Sequence, residues 1–253
     1  MIARPVRALS SLVAVLLAAA CTNSFEIPIE TPIRPKLDVA AFQRVLVAGF
    51  IAGGTEDVDG NLETTRLLRS QLRTKSQLRV IDSDVLPLVD VASEGRESDG
   101  AAAPPASAPP IKEEKDLEAY EHVFANVEYW KKIGEEYQQP LIVTGTVMFT
   151  PLQRNSIVQR EQEVYDSFGR RRVVPVRTYM ERKGFSLDGR FIFIDGRSGA
   201  TLHSESFGEQ ILYNANQTTP ALSSYFELMD RLIPTFLSTL SSQKIKGTRI
   251  LLQ

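Results

Sequence analysis

The segment PLIVTGTVMFT, Pro140–Thr150, is the most apolar run of strand length in the chain. A short continuous apolar run is typical of a strand that is buried on both faces of a sheet. Such strands occupy the interior of α/β sheets, because helices cover both of their faces. We therefore expect this segment to form the central strand of the fold.

The preceding part of the chain predicts a strand, a helix and a second strand. Arg44–Phe50, RVLVAGF, has the apolar run of a buried strand, and Leu62–Lys75 has the period of an amphipathic helix with Asp59 or Asn61 as its N-cap. A second short strand is expected at Leu78–Asp82. Strand, helix and strand within about 40 residues indicate a βαβ-type unit.

A further helix and two antiparallel strands are predicted around the central strand. Ala119–Tyr137 carries apolar and aromatic residues at helical spacing, which indicates one helix. Phe185–Asp195 and Thr201–Tyr213 alternate in polarity on either side of a turn near Gly196. These two segments are therefore expected to pair as strands.

The last helix is predicted from the 3.6-residue apolar period that follows Pro220. Thr219 is its expected N-cap, Pro220 its first residue, and Pro234 is expected to kink or end it. The segment GTRILLQ, Gly247–Gln253, is predicted as an edge strand. Together these elements predict an α/β fold, a mixed sheet flanked by helices with a projecting charged β-hairpin.

The projecting hairpin is predicted in the charged segment Arg154–Lys183. Its two halves, Ser156–Asp166 and Arg171–Glu181, flank a turn at Ser167–Gly169. Three arginines lie at the turn: Arg170, Arg171 and Arg172. Arginine pairs bidentately with phosphates and carboxylates, so these three are candidate partner-binding residues for lipid phosphates, a peptidoglycan carboxylate or an acidic protein surface. The alternative is a solubilising charged turn, neutralised by Glu161, Glu163 and Asp166.

The first residues have the order of a secretory signal. Arg4 and Arg7 precede an apolar core of about 13 residues, shorter than the roughly 20 that a transmembrane helix needs, so residues 1–20 are predicted to be a signal peptide. The segment Ala18–Cys21, AAAC, resembles the lipobox of bacterial lipoproteins, with alanine where leucine is usual. The resemblance implies that Cys21, the only cysteine, carries the lipid.

The resemblance to lipoproteins also implies a location and a domain order. Thr22 follows the cysteine, and a residue other than aspartate there implies lipid anchoring on the periplasmic face of the outer membrane in a bacterium. Residues 21–40 are then the lipidated cysteine and a proline-rich tether, and 41–253 a single α/β domain. A proline- and alanine-rich insertion at about 93–116 is predicted to be disordered.

Catalytic and metal-binding patterns are missing from the sequence. His122 and His203 lie far apart, outside any HExxH pattern and away from the cysteine, whereas a zinc site needs three or four ligands. A formal net charge of −2 gives no global attraction to nucleic acid. We therefore predict a protein that is not an enzyme, with no metal, no cofactor, no small-molecule substrate and no nucleic-acid partner.

The order of elements resembles a group of periplasmic α/β domains. The residues that carry the resemblance are the lipobox, the strand VLVAGF, the helix with LLRSQLR, a short strand ending at Asp82, and a helix leading into LIVTGTV. They look like the domain shared by the curli-secretion lipoprotein CsgG, the N-terminal domain of TolB and LpoB-type activators of penicillin-binding proteins. The resemblance covers roughly Arg44–Leu240.

The resemblance implies a non-catalytic role in an envelope complex, as an interaction or assembly module that binds another envelope protein or its own copies. The alternative is a subunit of an oligomeric CsgG-like outer-membrane export channel, in which each subunit gives membrane-spanning hairpins to a shared barrel. Such strands present an apolar face to lipid over about 10 residues. Val158–Asp166 has charged or amide side chains on both faces, and Pro175 interrupts the other half, which argues against a pore.

Overall fold

The structure, a computed structural model, describes residues 24–97, 111–214, 216–217 and 219–252. The predicted signal peptide and Cys21 lie outside the described residues. The described chain forms two compact units, one of Lys36–Ser241 and one of the two segments that flank it. No helix in the described part of the chain is long and apolar enough to cross a membrane.

Seven strands and six helices make up the described chain. The strands are β1 (Ser24–Ile33), β2 (Arg44–Gly54), β3 (Arg79–Val80), β4 (Leu141–Tyr165), β5 (Arg171–Asp195), β6 (Thr201–Asn214) and β7 (Gln243–Leu252). The helices are α1 (Gly60–Lys75), α2 (Leu88–Glu97), α3 (Glu114–Glu118), α4 (Glu121–Ala125), α5 (Val127–Glu136) and α6 (Ala221–Leu240).

The unit Lys36–Ser241 contains a five-stranded mixed sheet in the order β3-β2-β4-β5-β6. Strand β2 runs parallel to β3 and β4, and β4, β5 and β6 are antiparallel to one another. The Leu141–Phe149 part of β4 is buried throughout and lies in the middle of the sheet. The predicted central strand and the predicted α/β class, with a mixed sheet, are therefore confirmed.

Helices cover both faces of this sheet. Residues of α1 and α6 pack on one face, and residues of α2 to α5 pack on the other. Alternate residues of β4 divide between the two cores: Val143 and Phe149 face the first, Ile142 and Met148 the second. Side chains alternate across a strand, so one continuous apolar run supplies both cores.

The last helix begins one residue later than predicted, and it does not end at Pro234. It begins at Ala221, with Pro220 as the N-cap, and it continues through Pro234 to Leu240. Proline in a helix removes one backbone hydrogen bond. The buried Ile233 and Phe236, on either side of this proline, pack in the first core, and we attribute the continuation of the helix to that burial.

The helix predicted at Ala119–Tyr137 is divided in two. The break falls at Asn126, whose Oδ1 accepts a hydrogen bond from the Tyr129 N–H at 3.0 Å and caps α5. The buried Trp130 donates its Nε1–H to the carbonyl of Val123 in α4 at 2.9 Å. A side-chain cap therefore starts a new helix inside a continuous helical pattern.

The predicted insertion at 93–116 is ordered at both ends. Helix α2 extends to Glu97, and the buried Ile111 accepts the Gly54 N–H at 2.8 Å through its carbonyl. Helix α3 begins at Glu114. Only residues 98–110 of the insertion lie outside the described residues.

The second unit is a two-stranded antiparallel ribbon of β1 and β7, in which Ser24 lies opposite Leu252. The predicted tether is thus extended from Ser24 to Ile33, but it is paired. Pro28 and Pro32 are four residues apart, so both missing N–H groups can fall on the edge that faces away from β7. Strand β7 accordingly groups with β1, and the larger unit ends at Ser241.

Candidate functional site

The projecting hairpin, Arg154–Lys183, extends beyond the five-stranded sheet. Strand β4 pairs with β2 only as far as Phe149, and β5 pairs with β6 only from Arg182 onward. Between these points and the turn, β4 and β5 pair only with each other. At about 3.3 Å per residue the free ribbon is about 35 Å long.

The projecting hairpin exposes large apolar side chains as well as charges. The side chains that are at least half exposed are Ile157 (72%), Tyr165 (66%), Phe168 (82%), Val173 (51%) and Tyr179 (63%). A lone two-stranded ribbon has no core of its own, and its stability in water is marginal. Exposed apolar side chains in such an element are a feature of interaction surfaces.

Asp166 organises the tip of the projecting hairpin. Its Oδ1 accepts the backbone N–H groups of Phe168 and Arg170, each at 2.9 Å, and its Oδ2 accepts the Arg170 Nε–H at 3.0 Å. The backbone hydrogen bond from Arg170 is the main cause that holds the pKa of Asp166 below its usual value. Gly169 closes the turn with a φ of +73°.

The three predicted arginines lie together at this tip, and each lies beside a carboxylate. Arg170 pairs with Asp166, Arg171 Nη1 lies 3.0 Å from Glu163 Oε1, and Arg172 Nε lies 3.9 Å from Asp166 Oδ2. Their side chains are 64–69% exposed. The Arg171–Glu163 pair is exposed on both sides, and such pairs contribute about 0–1 kcal/mol, so Arg171 can exchange Glu163 for another carboxylate at small cost.

The two faces of the projecting hairpin differ in charge. Residues directly opposite each other share a face, so the even-numbered positions of both strands form one face, here called the arginine face. The arginine face carries Arg154, Arg160, Arg172 and Arg182. It carries neither aspartate nor glutamate at any paired position. The opposite face is balanced by three acidic and three basic residues: Glu161, Glu163, Glu181, Arg171, Arg177 and Lys183.

Arg154 and Arg182 lie directly opposite each other at the base of the projecting hairpin. Both are exposed, and neither makes an ion pair with any residue that the structure describes. From the sequence, the candidate binding residues were the arginines of the turn, with Arg177, Arg182 and Lys183 nearby. The signal for this pair was present, because counting outward from the turn at Ser167–Gly169 places the two residues opposite each other.

A charged cavity of about 490 Å³ lies between α3 and the sheet. Its lining includes Glu118, Asp188 and Arg190, and Arg190 forms an ion pair with Glu121. Within the described ranges, no group of three or more histidine, cysteine or acidic side chains is placed to hold a metal ion. His122 bonds to backbone carbonyls, and His203 packs beside Phe193 at 5.9 Å between ring centroids.

No family model and no curated protein sequence matches this chain. Among solved structures it is similar to lipoprotein GNA1162 from Neisseria meningitidis (12% identity, 77% of this chain and 97% of that one, TM-score 0.34). It is also similar to the LpoB C-terminal domain from Salmonella enterica (9% identity, 79% and 94%, TM-score 0.33). A third is the PelC dodecamer from Paraburkholderia phytofirmans (12% identity, 86% and 100%, TM-score 0.38).

Of the three kinds of protein that the sequence resembles, the LpoB type is among these solved structures. All three TM-scores lie below 0.5, and we take neither function nor assembly state from them. The candidate site therefore rests on the geometry of the projecting hairpin.

Proposed function

We propose that this chain is a non-catalytic lipoprotein of the bacterial envelope, anchored through Cys21 to the periplasmic face of the outer membrane. Its α/β unit binds another envelope protein. Its role is that of an interaction or assembly module, such as an LpoB-type activator of a cell-wall synthase or a component of secretion assembly. The anchor is supported by the signal-like residues 1–20 and by the lipobox resemblance.

The observation that carries the proposed binding role is the projecting hairpin itself. It stands outside both hydrophobic cores, it is about 35 Å long, and it exposes aromatic and arginine side chains at its tip. Aromatic residues and arginine are enriched among the residues that contribute most to protein–protein binding. At the tip, the guanidinium of Arg170 lies 5.4 Å from the centre of the Phe168 ring.

Arginines 170 to 172 are proposed to be the contacts with an acidic surface of the partner. The three arginine side chains are 64–69% exposed although Asp166 is only 17% exposed, so carboxylates of a partner can reach the arginines from the solvent side. Charge attraction of this kind raises the association rate and fixes orientation, whereas the aromatic side chains supply buried area.

Site-specific photo-cross-linking in the native host tests this function. A photoreactive phenylalanine analogue at Phe168 is expected to cross-link the lipidated chain to one envelope protein. The variant Arg170→Glu, Arg171→Glu, Arg172→Glu, here called the tip variant, should lose that cross-link. A control with the same change in charge, Arg66→Glu, Lys131→Glu, Lys132→Glu, alters exposed cations elsewhere and should keep it.

Two results would contradict the proposed binding role. One is the absence of any protein cross-link at Phe168 in the lipidated chain. The other is a cross-link that the tip variant retains at full yield. The anchor is tested separately, because Cys21→Ser should move the protein from the membrane fraction to the soluble periplasmic fraction.

A further inference from the structure

The arrangement of Arg154 and Arg182 is unfavourable in the free protein. Directly opposite residues of an antiparallel pair have Cβ atoms about 5 Å apart, and like charges at this distance destabilise the pair. Arginine stays ionised under all ordinary conditions, so deprotonation cannot relieve the repulsion. A counter-ion between the two guanidinium groups would relieve this repulsion.

The described surroundings of this pair supply no counter-ion. The neighbouring cross-strand pairs on the arginine face are Leu152 with Gly184 and Ser156 with Met180. In β6, the residue opposite Arg182 is Asn214, which carries no charge. An anion that bridges the two guanidinium groups would turn a repulsive pair into two charge-assisted ion pairs.

We infer that Arg154 and Arg182 form a binding site for a carboxylate of an acidic polypeptide segment. The inference rests on the proposed role of the projecting hairpin as a binding element, and it identifies the chemistry of one contact at its base. The planar fork of each guanidinium matches the two oxygens of a carboxylate.

The surroundings favour a polypeptide as the occupant. Leu152 and Met180 flank the arginine pair and are only half-buried, so they offer contacts to an aliphatic stem or neighbouring side chain. Leu152 also lines a cavity of about 360 Å³ whose other lining residues include the acidic Asp188 and Glu209, so the carboxylate is assigned to the arginine pair and not to this cavity. A carboxylate on a short aliphatic side chain of a polypeptide matches the two guanidinium groups and the apolar surface beside them.

Reversing the charge of Arg154 distinguishes a role in binding from a role in stability. Arg154→Glu replaces the repulsive pair by a cross-strand Glu–Arg pair, so the variant should be at least as stable as the wild type in thermal unfolding. The same change should weaken binding of poly-L-glutamate, the probe, by about tenfold or more. A structural role for Arg154 predicts the opposite, a loss of stability.

The matched control is Arg177→Glu. Arg177 is exposed on the opposite face of the same hairpin, across from Gln159, and the substitution changes the net charge by the same amount. Binding of fluorescent poly-L-glutamate to the Cys21→Ser chain is measured by anisotropy at one fixed salt concentration. The control should bind within about twofold of the Cys21→Ser parent, because only general electrostatic attraction has changed.

Three results would overturn the site. The first is equal weakening of poly-L-glutamate binding by Arg154→Glu and Arg177→Glu. The second is a clear loss of thermal stability in Arg154→Glu. The third is binding to phosphatidylglycerol vesicles that depends on Arg154, while poly-L-glutamate does not bind. The tip variant keeps the two proposals apart. A Phe168 cross-link that the tip variant retains, together with poly-L-glutamate binding that depends on Arg154 and not on Arg177, contradicts only the proposed function. A cross-link that the tip variant loses, together with equal weakening of poly-L-glutamate binding by Arg154→Glu and Arg177→Glu, contradicts only this site.

Discussion

Gly145 lies in the middle of the central strand, where a glycine normally weakens a sheet because it has no side chain to pack. Here its φ is +149°, and a Cβ atom would lie 1.8 Å from the carbonyl oxygen of Arg190 in the neighbouring strand. Both the backbone conformation and the close approach of β5 therefore require glycine at this position.

We expect Gly145→Ala to destabilise the larger unit by about 2–4 kcal/mol, from backbone strain and from displacement of β5. Denaturant unfolding followed by circular dichroism measures the change. Gly247→Ala is the control, since a Cβ there meets no atom within 4 Å, and it should change stability by less than about 0.5 kcal/mol. Equal stability of Gly145→Ala and wild type would show that β5 can move at no cost.

Glu205 ties the start of the larger unit to its last helix. It forms an ion pair with Lys36 and accepts the Thr239 hydroxyl hydrogen bond at 2.8 Å, and His203 Nε2 lies 3.7 Å from it. Burial by itself raises the pKa of Glu205, but the hydrogen bonds from Lys36 and Thr239 outweigh it and hold the pKa below its ordinary value of 4.5.

A carboxylate whose pKa is lower in the folded state stabilises that state above its unfolded pKa. The stabilisation is lost as the pH falls through the folded pKa, here below 4.5. Glu205→Gln should therefore be less stable than wild type by about 1–2 kcal/mol at pH 7, and the difference should shrink in acid. Thermal unfolding between pH 3 and pH 7 tests this, and a constant difference across that range would contradict it.

Strands β4 and β5 each have two parts with different environments. Near the sheet they supply buried residues such as Phe149 and Phe191 to the core, whereas from Asn155 to Glu181 they are mostly exposed. The distal parts have no partner strand outside the hairpin among the described elements. Only the parts of β4 and β5 that lie in the sheet therefore contribute side chains to the hydrophobic core.

Replacing Asn155–Glu181 by an Asn-Gly turn that joins Arg154 to Arg182 should leave the larger unit folded. A two-residue Asn-Gly turn fits the twist of an antiparallel pair. We expect the free energy of unfolding to fall by less than about 1 kcal/mol, or roughly 2–4 °C in melting temperature, because no core side chain is removed. A chain that becomes molten or aggregates would show that the distal ribbon supports the core.

Charge is distributed unevenly over the whole molecule. The projecting hairpin carries eight basic and four acidic residues, a net charge of +4, although the whole chain has a formal charge of −2. The remainder of the chain is therefore acidic, with a net charge of −6. An anionic partner is therefore attracted locally to the projecting hairpin and not by the net charge of the chain.

The candidate site was predicted in part. The turn at Ser167–Gly169 and the arginines beside it follow from local sequence, because turn residues and charge runs are read over a few positions. The pairing of Arg154 with Arg182 needs the register of both strands over their full length. One residue of slip would move either arginine to the other face, so the pair becomes certain only in the folded hairpin.

By itself, the sequence determined the α/β class, the central strand and the amphipathic helices α1 and α6 from the local period of apolar residues, and the hairpin from its turn. The tertiary structure alone decided the course of α6 through Pro234 and the pairing of β1 with β7, segments that are far apart in the chain. Burial of side chains on α6 offsets a lost hydrogen bond, and a partner strand converts a proline-rich segment into a ribbon. Both effects depend on contacts between distant residues, which no local period encodes.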